Sequence, residues 1–160
     1  MSEKIIVAGV GMIPFTKPGS SEPYNIMGEK AARLALDDAN IEYKKGQLAY
    51  GGYVYGDSTA GQAALYGVGL SGIPIFNVNN YCSTGSSALF LARQAIMSGN
   101  IDCALALGFE QMTPGSLDIV FEDRPNPLMR FYDEMENLQG FDERVPWAAQ
   151  FFGGAGNEHI

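Results

Sequence analysis

The sequence predicts an α/β fold, with a mostly parallel sheet and helices on both of its faces. Two observations carry this. Short apolar runs rich in β-branched residues alternate with longer runs of helical periodicity, in the order strand, helix, strand, helix, strand, helix, strand. Such alternation marks βαβ units, whose crossovers make neighbouring strands parallel. Twenty glycines in 160 residues suit a fold with many tight strand-to-helix turns.

The elements follow in order. Residues 4–10 form a continuous apolar run, which predicts a strand covered on both faces. Asn25 is placed to cap the next helix. There Met27, Ala31, Leu34 and Ala35 lie at i, i+4, i+7 and i+8, one face of a helix ending near Asn40. Leu48 to Tyr55 reads as a second strand, Gly61 to Leu70 as a short helix, and Ile73 to Val78 as a third strand. Ser86 to Met97 reads as a helix apolar around nearly its whole circumference, hence buried, with Gly99 placed to end it. Ile101 to Leu107 is the fourth strand. After that the character changes. Pro114, Pro125, Pro127 and Pro146 predict a loop-rich excursion with short helices, and Trp147 to Gly156 starts a Gly-rich helical segment. The domain reading is therefore an α/β core over 1–112 and the beginning of the excursion over 113–160.

Composition excludes several classes of function. At 46% hydrophobic and 18% charged, the chain is that of a globular protein rather than a disordered one. A net charge of −8 argues against nucleic acid as a partner, because phosphate binding needs clustered Lys and Arg. Two cysteines, no CxxC and one histidine make no zinc set, and no metal is expected. A structural disulfide is not expected either, which favours a reducing compartment. Met1-Ser2-Glu3-Lys4 lacks the shape of a signal peptide. No apolar run approaches the roughly 20 residues of a membrane span.

Cys82 is the leading candidate for chemistry. It lies between an apolar strand and an apolar helix, near that helix's N-terminus. Unpaired amides and the helix dipole there favour an anion, and the thiolate is the reactive form of cysteine. Its own amide is also placed to donate to an oxyanion. Position alone leaves a second reading open, a small apolar filler. Cys103, mid-strand, reads as structural. Gly9-Val10-Gly11 looks like the start of a dinucleotide fingerprint, but Pro14 takes the third glycine position and no helix opens there. His159, the only histidine, stands at the C-terminus and is a poor base for Cys82. Glu110 follows the fourth strand, as a functional group or a loop anchor, with the anchor favoured. Arg124, Arg130 and Arg144 are candidates for a phosphorylated ligand or plain solvated cations.

The sequence resembles the N-terminal part of a thiolase of the sterol-carrier-protein type. The resemblance runs through Val10-Gly11-Met12 with Phe15, Gly52 to Thr59, Gly61-Gln62, Gly72 to Ile75, and Asn77 to Asn80. It continues through Cys82 to Ser86, Ala104 to Glu110 with Met112, Gly115-Ser116-Leu117, and Gly156 to His159. The resemblance implies that Cys82 is the acyl-accepting nucleophile. It would take an acyl group from a 3-oxoacyl-CoA and hand it to a second coenzyme A, which is substrate rather than cofactor. It implies acyl-CoA as ligand, and a homo-oligomer or a complementary C-terminal thiolase half as partner. Localisation would be peroxisomal in a eukaryote and cytoplasmic otherwise, although Glu158-His159-Ile160 is no address of the Ser-Lys-Leu type. Two departures stand out. Tyr81 occupies a position where the family commonly has asparagine. The second half, with the histidines and second cysteine that activate the nucleophile, is missing, and the last strand of the first half is expected beyond Ile160. The expectation is a fragment, short form or split assembly with little activity alone. The alternative is a non-catalytic thiolase-like interaction or lipid-associated module.

Overall fold

The computed structural model describes residues 4–115 and 121–160. Met1 to Glu3, and Ser116 and Leu117 of the thiolase-like pattern, lie outside the described residues. The chain divides into two compact units, one ending at Met112 and one running from Thr113 to Ile160.

The first unit contains α1 (Tyr24–Ala39), β1 (Leu48–Gly52), α2 (Ala60–Val68), β2 (Ile75–Val78), α3 (Thr84–Met97) and β3 (Ala104–Gly108). The strands form one parallel sheet in the order β2-β1-β3, with Ala49 of β1 opposite both Ile75 and Leu105. Side chains alternate along a strand, so two neighbouring residues of β1 report on the two faces. A Cβ on Gly51 would come within 3.0 Å of Gly61 in α2, and one on Gly52 within 2.8 Å of the Thr84 methyl in α3. The two helices therefore cover opposite faces. α1 lies on the α2 side, where a Cβ on Gly28 would meet Ala64 at 2.8 Å. Small residues let these layers approach closely. The core on that side joins Ala32, Ala49, Ala64, Leu65 and Leu107. The α/β architecture read from the sequence, parallel strands with helices on both faces, is thus the one observed.

Several local expectations need correction. Residues 4–10 are not a sheet strand: they pair with none, and Ile6, Val7 and Val10 are each about 70% exposed. The segment lies instead along α1. The Val10 amide donates to Asp38 Oδ2 at 2.8 Å, and Gly9 and Gly11 lie so near the α1 backbone that any side chain would overlap it. Asn25 does not cap α1, which starts at Tyr24 after Pro23. Pro23 supplies the carbonyl that accepts from Ile26 and Met27. Leu34 is exposed, because the face that α1 buries is Met27, Gly28 and Ala32. α3 is not buried all round. Thr84, Ala88 and Ala92 face the protein, while Leu89, Phe90 and Met97 are exposed. Cys103 lies just before β3 rather than within it.

The second unit holds α4 (Met129–Gln139) and α5 (Trp147–His159). An aromatic stack joins them, with Tyr132 4.3 Å from Trp147 and 5.3 Å from Phe151. Among the described residues no helix is long and apolar enough to cross a membrane.

Candidate active site

In a parallel sheet with helical crossovers, ligands bind beyond the C-terminal ends of the strands. Here that edge is built from the loops after β1, β2 and β3. The Tyr53 amide donates to the Val78 carbonyl at 3.3 Å, joining the exits of β1 and β2. Tyr53 also stacks on Phe109 at 5.3 Å, joining the exits of β1 and β3.

Cys82 stands on this edge, exposed, two residues before α3 begins. Ser83 precedes the first helical residue but makes no side-chain cap; its hydroxyl turns back to the Asn80 carbonyl at 2.8 Å. The first amides of an α-helix have no carbonyl one turn earlier to bond. At this helix start the Ser83 and Thr84 amides are taken by the Asn80 and Tyr81 carbonyls at 3.1 Å, so the amides left open to an anion, among the described residues, are those of Gly85 and Ser86. Tyr81 is left-handed, with φ 47°, which carries the chain sharply from β2 into the helix. Thr84 knits the turn. Its hydroxyl donates to the Tyr81 carbonyl at 2.6 Å and accepts from the Asn80 amide at 2.8 Å. This part of Thr84 has one signal in the sequence, a Ser or Thr beside a helix start.

The other candidates separate cleanly. Glu110 also leaves the C-terminal edge, and its carboxylate accepts from the Val54 amide at 2.8 Å and the Tyr55 amide at 3.2 Å. That geometry is the loop anchor. Cys103 is half-buried and unpaired with Cys82; its amide donates to Gln47 Oε1 at 3.1 Å. His159 ends α5 in the second unit and is exposed. Arg124 and Arg144 pair with Asp123 and Asp142, and hold those exposed carboxyls below their usual range. Arg130 lies over the Phe131 ring at 4.5 Å. Gly9-Val10-Gly11 serves helix packing, not a phosphate turn. It borders a cavity of about 300 Å³ lined by Gly11 to Lys17, Met27, Phe109, Glu110 and Met112, which does not include Cys82.

The parallel sheet with helices on both faces, with Cys82 in the turn from β2 to α3, fits the thiolase-like class of α/β proteins. The solved structure of 3-oxoacyl-[acyl-carrier-protein] synthase III from Aquifex aeolicus shares this fold, with a TM-score of 0.52 and 25% identity over 59% of this chain and 32% of that one. The pattern described as "Thiolase, N-terminal domain" matches residues 5–129, and the chain belongs to that family. Human sterol carrier protein 2 is 50% identical over 160 residues, which cover 98% of this chain and 29% of that protein. The benzoylsuccinyl-CoA thiolase subunit BbsB of Thauera aromatica is 35% identical over 71% of this chain and 29% of its own length. The chain spans about 30% of the length of the curated relatives it matches.

Proposed function

We propose that the protein carries the nucleophilic part of a thiolase-type acyl transfer. The Cys82 thiolate attacks the 3-oxo carbonyl of a 3-oxoacyl-CoA. The bond between C2 and C3 breaks, a two-carbon CoA thioester leaves and takes a proton at C2, and the shortened acyl group stays on sulfur. A second coenzyme A thiolate then displaces Cys82. One observation carries this reading: an exposed cysteine before an uncapped helix start, on the functional edge of a parallel sheet. Developing oxyanion charge is stabilised by preorganised amides, and the thiolate is the nucleophilic form of cysteine toward a carbonyl carbon. Proton transfer by a positioned base is worth about 10²–10⁴-fold. The sequence has a single histidine, so we assign the base to a complementary C-terminal thiolase half, in the same polypeptide or a partner. The exposed Leu89, Phe90 and Met97 of α3 and the open edge of β2 supply surface for that half or for a second copy. The same reading places the protein in the peroxisome of a eukaryote, or in the cytoplasm otherwise.

The test is mass spectrometry after incubation with acetyl-CoA, with and without a C-terminal thiolase half. An acetyl adduct on Cys82, absent in Cys82→Ala, supports acyl transfer. No adduct under either condition favours the second reading, a lipid-associated interaction module. That reading draws support from relatives such as the Caenorhabditis elegans protein called "Non-specific lipid-transfer protein-like 2", 46% identical over 98% of this chain and 39% of its own length.

A further inference from the structure

We propose that Thr84 is a positioning residue for Cys82: its hydroxyl holds Tyr81 in the left-handed region and so fixes where the thiol stands. The proposal rests on the acyl-transfer reading of Cys82. A positive φ is a genuine outlier for a bulky residue, and such strain persists only where the surroundings over-determine it. Tyr81 has φ 47°. The residue is 44% exposed, so core packing does not hold it there.

The backbone does. The Tyr81 carbonyl accepts two bonds from one residue, the Thr84 hydroxyl at 2.6 Å and the Thr84 amide at 3.1 Å. The same hydroxyl accepts from the Asn80 amide at 2.8 Å. Asn80 is further held through its carbonyl, which receives the Ser83 amide at 3.1 Å and the Ser83 hydroxyl at 2.8 Å. Cys82 is thus bracketed by bonds that residues 80, 81, 83 and 84 make among themselves, and it stays an exposed residue. Thr84 can act as the clamp because it is itself immobile. At 4% exposure it is the one buried polar side chain among the described residues, and its methyl lies against Gly52 of β1. Strand β1 thereby sets the turn that carries the cysteine.

Two substitutions divide the side chain. Thr84→Val keeps the methyl and removes both hydroxyl bonds; Thr84→Ser keeps the bonds and removes the methyl. The measurement is the rate of Cys82 alkylation by iodoacetamide, in a Cys103→Ala background. Thr84→Val lowers the rate about tenfold, while Thr84→Ser stays within about twofold of the parent. Adding Tyr81→Gly to Thr84→Val restores most of the rate, since glycine takes a positive φ without penalty. Equal losses in the two Thr84 variants, an unchanged rate in Thr84→Val, or no rescue by Tyr81→Gly overturns the proposal. If Thr84→Val does not fold, Tyr81→Gly alone decides. A raised unfolding midpoint shows that residue 81 is held against its preference, and a lowered one overturns that. Failure of the acyl-transfer reading shows separately, as a parent protein that takes no acetyl group while its alkylation pattern stands.

Discussion

Glu110 and Val54 are joined by a 2.8 Å hydrogen bond from the Val54 amide to Glu110 Oε2, across 56 positions of sequence. The other carboxylate oxygen takes the Tyr55 amide. One side chain after β3 thus holds the loop after β1, next to the edge where Cys82 stands. Hydrogen bonds to a charged group are worth about 1.5–3 kcal/mol, and partial exposure puts this site toward the lower end. Glu110→Ala is expected to cost about 2 kcal/mol in urea unfolding, and Glu110→Gln about half of that. An anchor leaves the alkylation rate of Cys82 near that of the parent in Glu110→Gln. A large loss of Cys82 reactivity in a stably folded Glu110→Gln would instead give Glu110 a part in the chemistry.

The two cysteines differ in access, and a reagent should see the difference. Cys82 is exposed; Cys103 is half-buried and follows Asp102, whose amide also bonds Gln47 Oε1, at 2.6 Å. Reaction with a limiting thiol reagent at neutral pH is expected to label Cys82 first, read by peptide mapping. Cys103→Ala is expected to change neither that labelling nor any acetyl transfer. Preferential labelling of Cys103 would contradict the geometry of both sites.

How much of this was legible in the sequence follows from what each signal reports. The strands β1, β2 and β3 and the helices α2 and α3 announce themselves through length and period, and their alternation gives the parallel sheet. Cys82 stands out because strand end and helix start bracket it. The apolar run at 4–10 carries the same β-branched signal as a strand, yet it lies on α1. Composition reports that a segment needs an apolar neighbour, not which one. The same holds for α3, whose large residues Leu89, Phe90 and Met97 face outward while the small Ala88 and Ala92 face the protein. The left-handed Tyr81 had no signal at all, since nothing in a tyrosine announces a positive φ.

That reading of the N-terminal run gives a third prediction. Built side chains on Gly9 and Gly11 meet backbone atoms of α1, at Ala35 and Ala39 for Gly9 and at Ala31 and Ala35 for Gly11. Backbone cannot swing aside as a flexible side chain does, so the segment must lift. Gly9→Ala or Gly11→Ala is expected to cost about 1–3 kcal/mol, as other overpacking substitutions do. It should also break the Val10 to Asp38 hydrogen bond. Limited proteolysis reads the effect directly, as faster cleavage near residues 4–11 with the sheet still protected. Unchanged cleavage and stability would mean that the glycines are not what seats the segment. A dinucleotide role, by contrast, would appear as nucleotide-dependent protection, which this packing does not anticipate.

Tyr43 supplies a prediction in pH. It lies in the single-turn 3-10 helix Tyr43–Lys45 and packs against the core of Ala49, Leu65 and Leu107. Its hydroxyl makes no hydrogen bond among the described residues. Burial, the largest cause, pushes the phenol above its ordinary value of 10.0. The folded protein therefore holds this proton more tightly than the unfolded chain does. The contribution to stability is complete below the unfolded value and is lost as pH rises through the folded one. Urea unfolding from about pH 9 to about pH 11 is expected to show a decline that Tyr43→Phe makes shallower, because the variant has no proton to lose at this site. The comparison between the two proteins carries the result. Parallel declines in both would mean that the Tyr43 phenol is as free to ionise in the folded protein as in the unfolded chain.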